Sequence, residues 1–312
     1  MSKFTKIRVP QDSAFDIDRA RELLDLVAHA HYEFEVAVDK ENQHHPWQWD
    51  TDTTPITVKG KKYQVLKRFG FAGYFFTPKN PTGRKRVPFG FVAHTNTAVY
   101  VVFRGTMQPA EWVSNAKALQ EPFLNDRLLG EVHRGFHRTY TRDDRGVGGM
   151  LNFDLNDDLP SIREVIETQL EQVTGLHELP LFVAGHSLGG ALATLATAHI
   201  KKRTPFTYPT LYSFASPRVG DSEFAKLFDD LNCYRVSNSE DRVINLPVSA
   251  SFISFLFLSR MQEQQSQNVM NQLIESQMNW EHIGEPIYFT AQKGNISDNH
   301  TIPVYGEALE QE

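Results

Sequence analysis

LFVAGHSLGGALATLATAHI, residues 181 to 200, decides the fold. Its apolar opening, Leu181 to Ala184, stops at Gly185. His186, Ser187, Leu188, Gly189 and Gly190 follow, and an Ala- and Leu-rich run that favours helix begins at Ala191. The order is strand, tight turn, helix, with a serine at the apex. A turn this sharp requires that the residues two before and two after the serine lack side-chain bulk. The serine is expected in a strained backbone conformation, with its hydroxyl above the sheet. The helix behind it directs the positive end of its dipole at the place where negative charge develops in acyl transfer. A glycine-rich turn around an inert serine is the bland alternative. The flanking strand and helix favour a nucleophile elbow.

Outward toward the N-terminus, VYVVFRGT ends a buried apolar strand, Ala98 to Arg104, at Gly105. Thr106 could supply a backbone N–H and its hydroxyl to a developing oxyanion. That Gly105 and Thr106 merely turn the chain is the competing reading. Val87 to His94 precedes this strand across a three-residue TNT connection and is expected to pair with it as an antiparallel hairpin. Tyr63 to Phe69 is another strand. Ile17 to Val38 is read as a helix, with Asp16 as N-cap and Leu23, Leu24, Val27, Ala30, His31 and Phe34 on one side. Pro160 to Val173 is an amphipathic helix leading into the elbow strand, and VHRGFHRTY (132–140) opens another. Strands alternating with helices predict a mostly parallel sheet covered on both faces.

Composition narrows the function classes. The 312 residues are 40% hydrophobic and 22% charged, with a formal net charge of −6. Such a chain has no electrostatic footprint for nucleic acid. No stretch approaches the roughly 20 apolar residues that span a bilayer, and the first residues have no apolar core of a signal peptide. Cys233 is the only cysteine, so no intrachain disulfide can form. A cytoplasmic location is expected, with a secreted form lacking its signal as the alternative. The pairs His29/His31, His44/His45 and His133/His137 lack further ligands, so no metal is expected.

A serine nucleophile needs a base, and the base needs an acceptor that fixes its tautomer. Beyond the elbow, Thr210 to Ala215 and Asn232 to Ser237 read as strands. In open α/β sheets the working groups sit past the carboxyl ends of strands. Asp241, just after the second of these, is the expected acid; Glu240 and Asp221 are the alternatives. In the order serine, acid, histidine, only His282 and His300 follow Asp241. His300 lies in a polar loop that can reach over a sheet edge, whereas His282 precedes a strand, so His300 is preferred.

Taken together, VVFRGT, VHRGF, VAGHSLGGALATL, SFASPRVGD, the aspartate loop before NLP, HIGEPIYF and NHTIPVY stand in an order that resembles the class 3 (fungal-type) lipase family, from about Ile17 to Tyr305. The resemblance implies a single α/β-hydrolase domain over 1–312 with a Ser187, Asp241, His300 triad. It also implies an oxyanion hole from Thr106 and the Leu188 N–H, and no cofactor. A short lid is implied after the oxyanion strand, within Gln108 to Leu119, anchored by Trp112. The single cysteine departs from the disulfide-bonded secreted fungal members and is closer to a bacterial or intracellular branch. A second departure is an extended segment over 248–280, expected to be partly helical. It either caps the acyl cleft and rests transiently on a lipid surface, or packs as core.

The expected activity is a serine carboxylester hydrolase, a lipase or esterase on acylglycerol or related fatty-acyl esters. A phospholipase or feruloyl-type esterase is the alternative within the same chemistry. An inactive hydrolase scaffold that binds a lipid or protein partner is the alternative from another class, and peripheral membrane binding through the apolar segment is a third.

Overall fold

The computed structural model describes residues 4–43, 45, 47–74, 84–105, 119–141, 160–173, 175–247, 279–295 and 297–311. Thr106, the expected lid up to residue 118 with Trp112, and the 248–280 segment up to residue 278 lie outside the described residues.

Eleven strands are described: β1 (Phe4–Arg8), β2 (Ile56–Val58), β3 (Lys61–Tyr74), β4 (Arg84–His94), β5 (Val99–Phe103), β6 (Gln120–Pro122), β7 (Glu131–His133), β8 (Leu181–His186), β9 (Thr210–Phe214), β10 (Cys233–Asn238) and β11 (Glu285–Ala291). The described α-helices are α1 (Ile17–Asn42), α2 (Arg134–Thr141), α3 (Ile162–Gln172), α4 (Leu188–Arg203), α5 (Ser222–Ala225) and α6 (Ile302–Glu310). Nine strands form one sheet in the order β1-β11-β10-β9-β8-β5-β4-β3-β2, and β6 pairs with β7 apart from it. The centre, from β5 through β8, β9 and β10 to β11, is parallel. Antiparallel strands flank it, β4, β3 and β2 on one side and β1 on the other. The expected hairpin is the β4–β5 pair.

Side chains alternate across the strands and so build two cores. Leu181 and Val183 face one layer with α2, α3 and α4; Ala184 faces the other with α1 and α6. This alternation is the reason both faces must be covered. Helix α4 is buried continuously from Leu188 to Ile200, which explains why its sequence carries no polar stripe.

Helix boundaries follow local chemistry. Asp16 Oδ1 accepts from the Arg19 N–H at 3.0 Å at the head of α1. Helix α3 starts later than the proline suggests. Ser161 is its N-cap, in a reciprocal capping box with Glu164, and Pro160 stands outside. Between β9 and β10, α5 spans four residues and passes into a single 3-10 turn, Lys226–Phe228. Strand β1 is unforeseen by the sequence reading.

Candidate active site

Three strand ends converge on one point. Ser187 follows β8, Asp241 lies three residues beyond β10, and His300 sits in a 3-10 turn, Asp298–His300, between β11 and α6.

The elbow takes its shape from contacts that only glycine permits. Ser187 has φ 58° and ψ −125°, in the left-handed region that a serine seldom adopts. A Cβ added to Gly185 would lie 2.1 Å from the Gly189 carbonyl oxygen, and one on Gly189 would lie 2.2 Å from the Arg104 carbonyl oxygen. The two glycines of the motif therefore pack on each other and on the exit of β5. The Ser187 N–H donates to Phe214 O at 2.9 Å, fixing the turn to the neighbouring strand. Leu188 is the first residue of α4, and the N–H groups of a first turn have no carbonyl within their own helix.

His300 Nε2 stands 2.8 Å from Ser187 Oγ, and His300 Nδ1 stands 2.6 Å from Asp241 Oδ2. With the carboxylate on the Nδ1 side, that nitrogen carries the proton and Nε2 accepts from the serine hydroxyl. Asp241 is fully buried, so its charge needs donors. Its Oδ1 accepts from the Val243 N–H at 2.9 Å, and its Oδ2 also accepts from the Tyr305 hydroxyl at 2.8 Å. Burial and Asp241 push the Tyr305 hydroxyl pKa well above its ordinary value, so it remains a donor. Tyr305 in turn accepts from the Asn238 N–H at 3.2 Å. The Asn238 amide donates to Ala291 O and Asn299 O, knitting β10, β11 and the histidine turn together.

The alternatives fall elsewhere. Glu240 is exposed. Asp221 caps α5 by accepting from the Phe224 N–H at 2.8 Å. His282 precedes β11, at the entry end of the parallel strands, whereas Ser187 lies past their exit end. Burial, with Arg235 and Arg218 nearby, pushes the His282 pKa down to about 3.

His186 lies behind the triad, its ring centroid 4.9 Å from that of His300. Burial, then His300, holds its pKa well below the usual value. His133 and His137 serve local structure. His133 Nδ1 accepts from the Gly135 and Phe136 N–H groups at the head of α2. His137 faces Glu121 Oε1 at 2.8 Å. Among the described residues no cluster of three or more His, Cys, Asp or Glu side chains is placed to hold a metal. No described helix is long and apolar enough to cross a membrane.

The sequence reading missed Tyr305, Asn238 and Asn299. Tyr305 stands inside the NHTIPVY motif, five residues past His300.

Residues 100–251 match the family model Lipase (class 3). That stretch contains Ser187 and Asp241 and ends before His300. The chain is 34% identical over 167 residues to the secreted mono- and diacylglycerol lipase A of Penicillium cyclopium, covering 51% of this chain and 47% of the relative. It is 33% identical over 166 residues to phospholipase A1-IIgamma of Arabidopsis thaliana, covering 48% and 36%. The chain thus spans less than half the length of these curated relatives. Among solved structures, a mutant form of MDLA from Penicillium cyclopium superposes with a TM-score of 0.55 at 21% identity, covering 95% of this chain and 92% of the other. The triacylglyceride lipase of Rhizomucor miehei gives 0.54 at 18%, covering 96% and 95%. At such identities the superpositions establish the fold, an α/β-hydrolase.

Proposed function

Because the chain belongs to the class 3 lipase family of the α/β-hydrolase superfamily, we propose that it is a serine carboxylester hydrolase acting on acylglycerol or related fatty-acyl esters. The hydrogen-bond chain from Ser187 through His300 to Asp241 carries this reading. In it, His300 Nε2 takes the hydroxyl proton as Ser187 Oγ attacks the ester carbonyl carbon. Asp241 holds the imidazole and stabilises its cation. The carbonyl oxygen becomes an oxyanion, which the Leu188 N–H and the amide after Gly105 receive, each worth on the order of 3 kcal/mol. The ester C–O bond then breaks, and the protonated His300 gives its proton to the departing alcohol. Water, deprotonated by the same imidazole, cleaves the acyl-serine.

Tyr305 supports the reading from outside the triad. A fully buried carboxylate with three donors is held in one orientation, which is what an orienting acid requires.

A phospholipase A1 activity is the second reading, favoured by the similarity to the Arabidopsis protein of that name. Within the same proposal, residues 1–312 form one domain, and the segment over 248–280 is an insert that either caps the acyl cleft or rests on a lipid surface, or else packs as core. Cys233, buried and unpaired, supports a reducing compartment. The Penicillium relative is described as secreted, which makes secretion the competing assignment.

Initial rates on p-nitrophenyl esters from acetate to palmitate, for the wild type beside Ser187→Ala, test the activity. Serine-dependent turnover reaching long chains is the expected result. Turnover confined to short chains makes the protein an esterase. No Ser187-dependent turnover, together with no labelling by a fluorophosphonate, removes the hydrolase reading in favour of an inactive binding scaffold.

A further inference from the structure

Asp241 and His300 are 59 residues apart in the chain and reach each other from two separate loops. Loops are the less rigid part of a fold, yet catalysis needs this contact held to a fraction of an ångström. The bond between Nδ1 and Oδ2 joins two side chains and leaves the main chain behind each of them to be fixed by other means. Two asparagines supply those means.

Asn238, the last residue of β10, is fully buried, and Asn299, beside His300, is 6% exposed. Asn238 Nδ2 donates to Asn299 O at 3.0 Å, the carbonyl of the peptide that leads into His300. Asn299 Nδ2 donates to Glu240 O at 3.1 Å, the carbonyl of the peptide that leads into Asp241. Each asparagine thus grips the peptide plane in front of the triad residue on the opposite side. The nitrogen ends of both planes are held as well. The Asp241 N–H donates to Asn238 O at 3.0 Å, and the His300 N–H donates to Ser297 O at 3.1 Å. A planar peptide tied at its oxygen and at its nitrogen cannot rotate without breaking a bond, so the direction in which each triad residue leaves its loop is set.

Both amides are fixed in turn. Asn238 Oδ1 accepts from the Ala291 N–H at 2.9 Å and from the Glu240 N–H at 3.2 Å, and Nδ2 also donates to Ala291 O at 2.9 Å. Two donors and two acceptor sites are therefore all engaged, and a flipped amide would set N–H against N–H. Asn299 Oδ1 accepts from the Lys293 N–H at 2.7 Å, which orients its Nδ2 toward Glu240. An aspartate at either position would keep the acceptors and lose the donors.

We propose that Asn238 and Asn299 form a reciprocal clasp, and that both are positioning residues which set the Asp241–His300 contact for proton transfer at Ser187. The inference rests on the hydrolase reading above. Neither side chain bonds to the Ser187 hydroxyl or to the imidazole, so loss of the clasp lowers kcat and leaves KM alone. Because the clasp acts through the acid, its effect vanishes once the acid is removed.

The experiment measures kcat and KM on a soluble p-nitrophenyl ester for the wild type, Ser187→Ala, Asn238→Ser, Asn299→Ala and Asn299→Asp. Asp241→Ala is measured with and without Asn299→Ala, and every variant beside a thermal melt. Asn299→Ala and Asn238→Ser are each expected to lower kcat about tenfold or more, with KM within about twofold. Asn299→Asp keeps the acceptor for the Lys293 N–H, removes only the donor and is expected to match Asn299→Ala; it decides where the other two do not fold. In the Asp241→Ala background, Asn299→Ala is expected to change kcat by less than about twofold. Wild-type kcat in the folded variants, with only a lower thermal midpoint, overturns the inference and makes the pair a staple of the fold. A loss of the same factor with and without Asp241 also overturns it, since the asparagines then act elsewhere than through the acid. Absence of Ser187-dependent turnover in the wild type is the separate result that removes the hydrolase reading, and the role of the clasp with it.

Discussion

Tyr305 and Asp241 meet at 2.8 Å, the phenol donating to the same carboxylate oxygen that faces His300 Nδ1. Helix α6 thus reaches back over the sheet edge to complete the surroundings of the acid, which comes from the loop after β10. Both side chains are fully buried. The carboxylate has no water to turn toward, and its direction is set by the Val243 N–H, the imidazole and the phenol together.

Tyr305→Phe removes one of these donors with little change in volume. It also leaves the Asn238 N–H without its acceptor. A hydrogen bond to a charged group contributes about 1.5–3 kcal/mol. We expect kcat/KM to fall roughly 10- to 100-fold while the protein remains folded. Steady-state rates beside a thermal melt check this; an unchanged kcat/KM would mean that the other two donors suffice.

Asp241→Asn tests the tautomer argument. An amide in place of the carboxylate can present its NH2 to the ring, which favours the proton on Nε2 and removes the acceptor for the Ser187 hydroxyl. Loss of kcat by about 10³- to 10⁴-fold is expected, with KM little changed. A loss below tenfold would assign the orienting role elsewhere.

The elbow was legible because its constraints act within a few residues: the steric demands of Gly185, Ser187 and Gly189 are local and leave a local signature. The order of Asp241 and His300 followed from the same sheet logic. Tyr305, Asn238 and Asn299 were not legible, since their partners are brought to them by the closing of the sheet edge. Strand β1 escaped for a related reason. FTKIR is charged and largely solvent-facing, and only its pairing with β11, almost the full chain away, makes it a strand.

Gly185→Ala tests the steric basis of the motif. The new methyl would lie 2.1 Å from Gly189 O and 2.3 Å from Gly189 C, backbone atoms that have no rotamer to escape into. Relief requires moving β8 from α4 and with it Ser187. We expect at least about 2–3 kcal/mol of destabilisation in urea unfolding, with turnover reduced by 100-fold or more in what remains folded. Wild-type stability and rate together would remove the packing argument.

Acid stability follows from three buried histidines. Burial pushes the pKa of His133 down to about 4 and of His199 to about 3, and holds His186 well below its ordinary value. His199 shows why: its Nδ1 lies 2.8 Å from the Tyr140 hydroxyl and its Nε2 3.2 Å from Glu167, so one neutral ring bridges α2, α3 and α4. In the unfolded chain each imidazole takes a proton below about pH 6.5; in the folded chain His133 does not until about pH 4 and His199 until about pH 3, and His186 is held neutral well below its ordinary range. Their contribution is therefore complete above about pH 6.5 and is lost as the pH falls from there toward 4 and 3. Each histidine steepens the loss by up to about 1.4 kcal/mol per pH unit. Urea unfolding between pH 7 and pH 4.5 should show this slope. His199→Gln should lower stability at pH 7, through loss of the bridge, and make the slope shallower by about one proton. An equal slope in the variant would place the acid sensitivity in other groups.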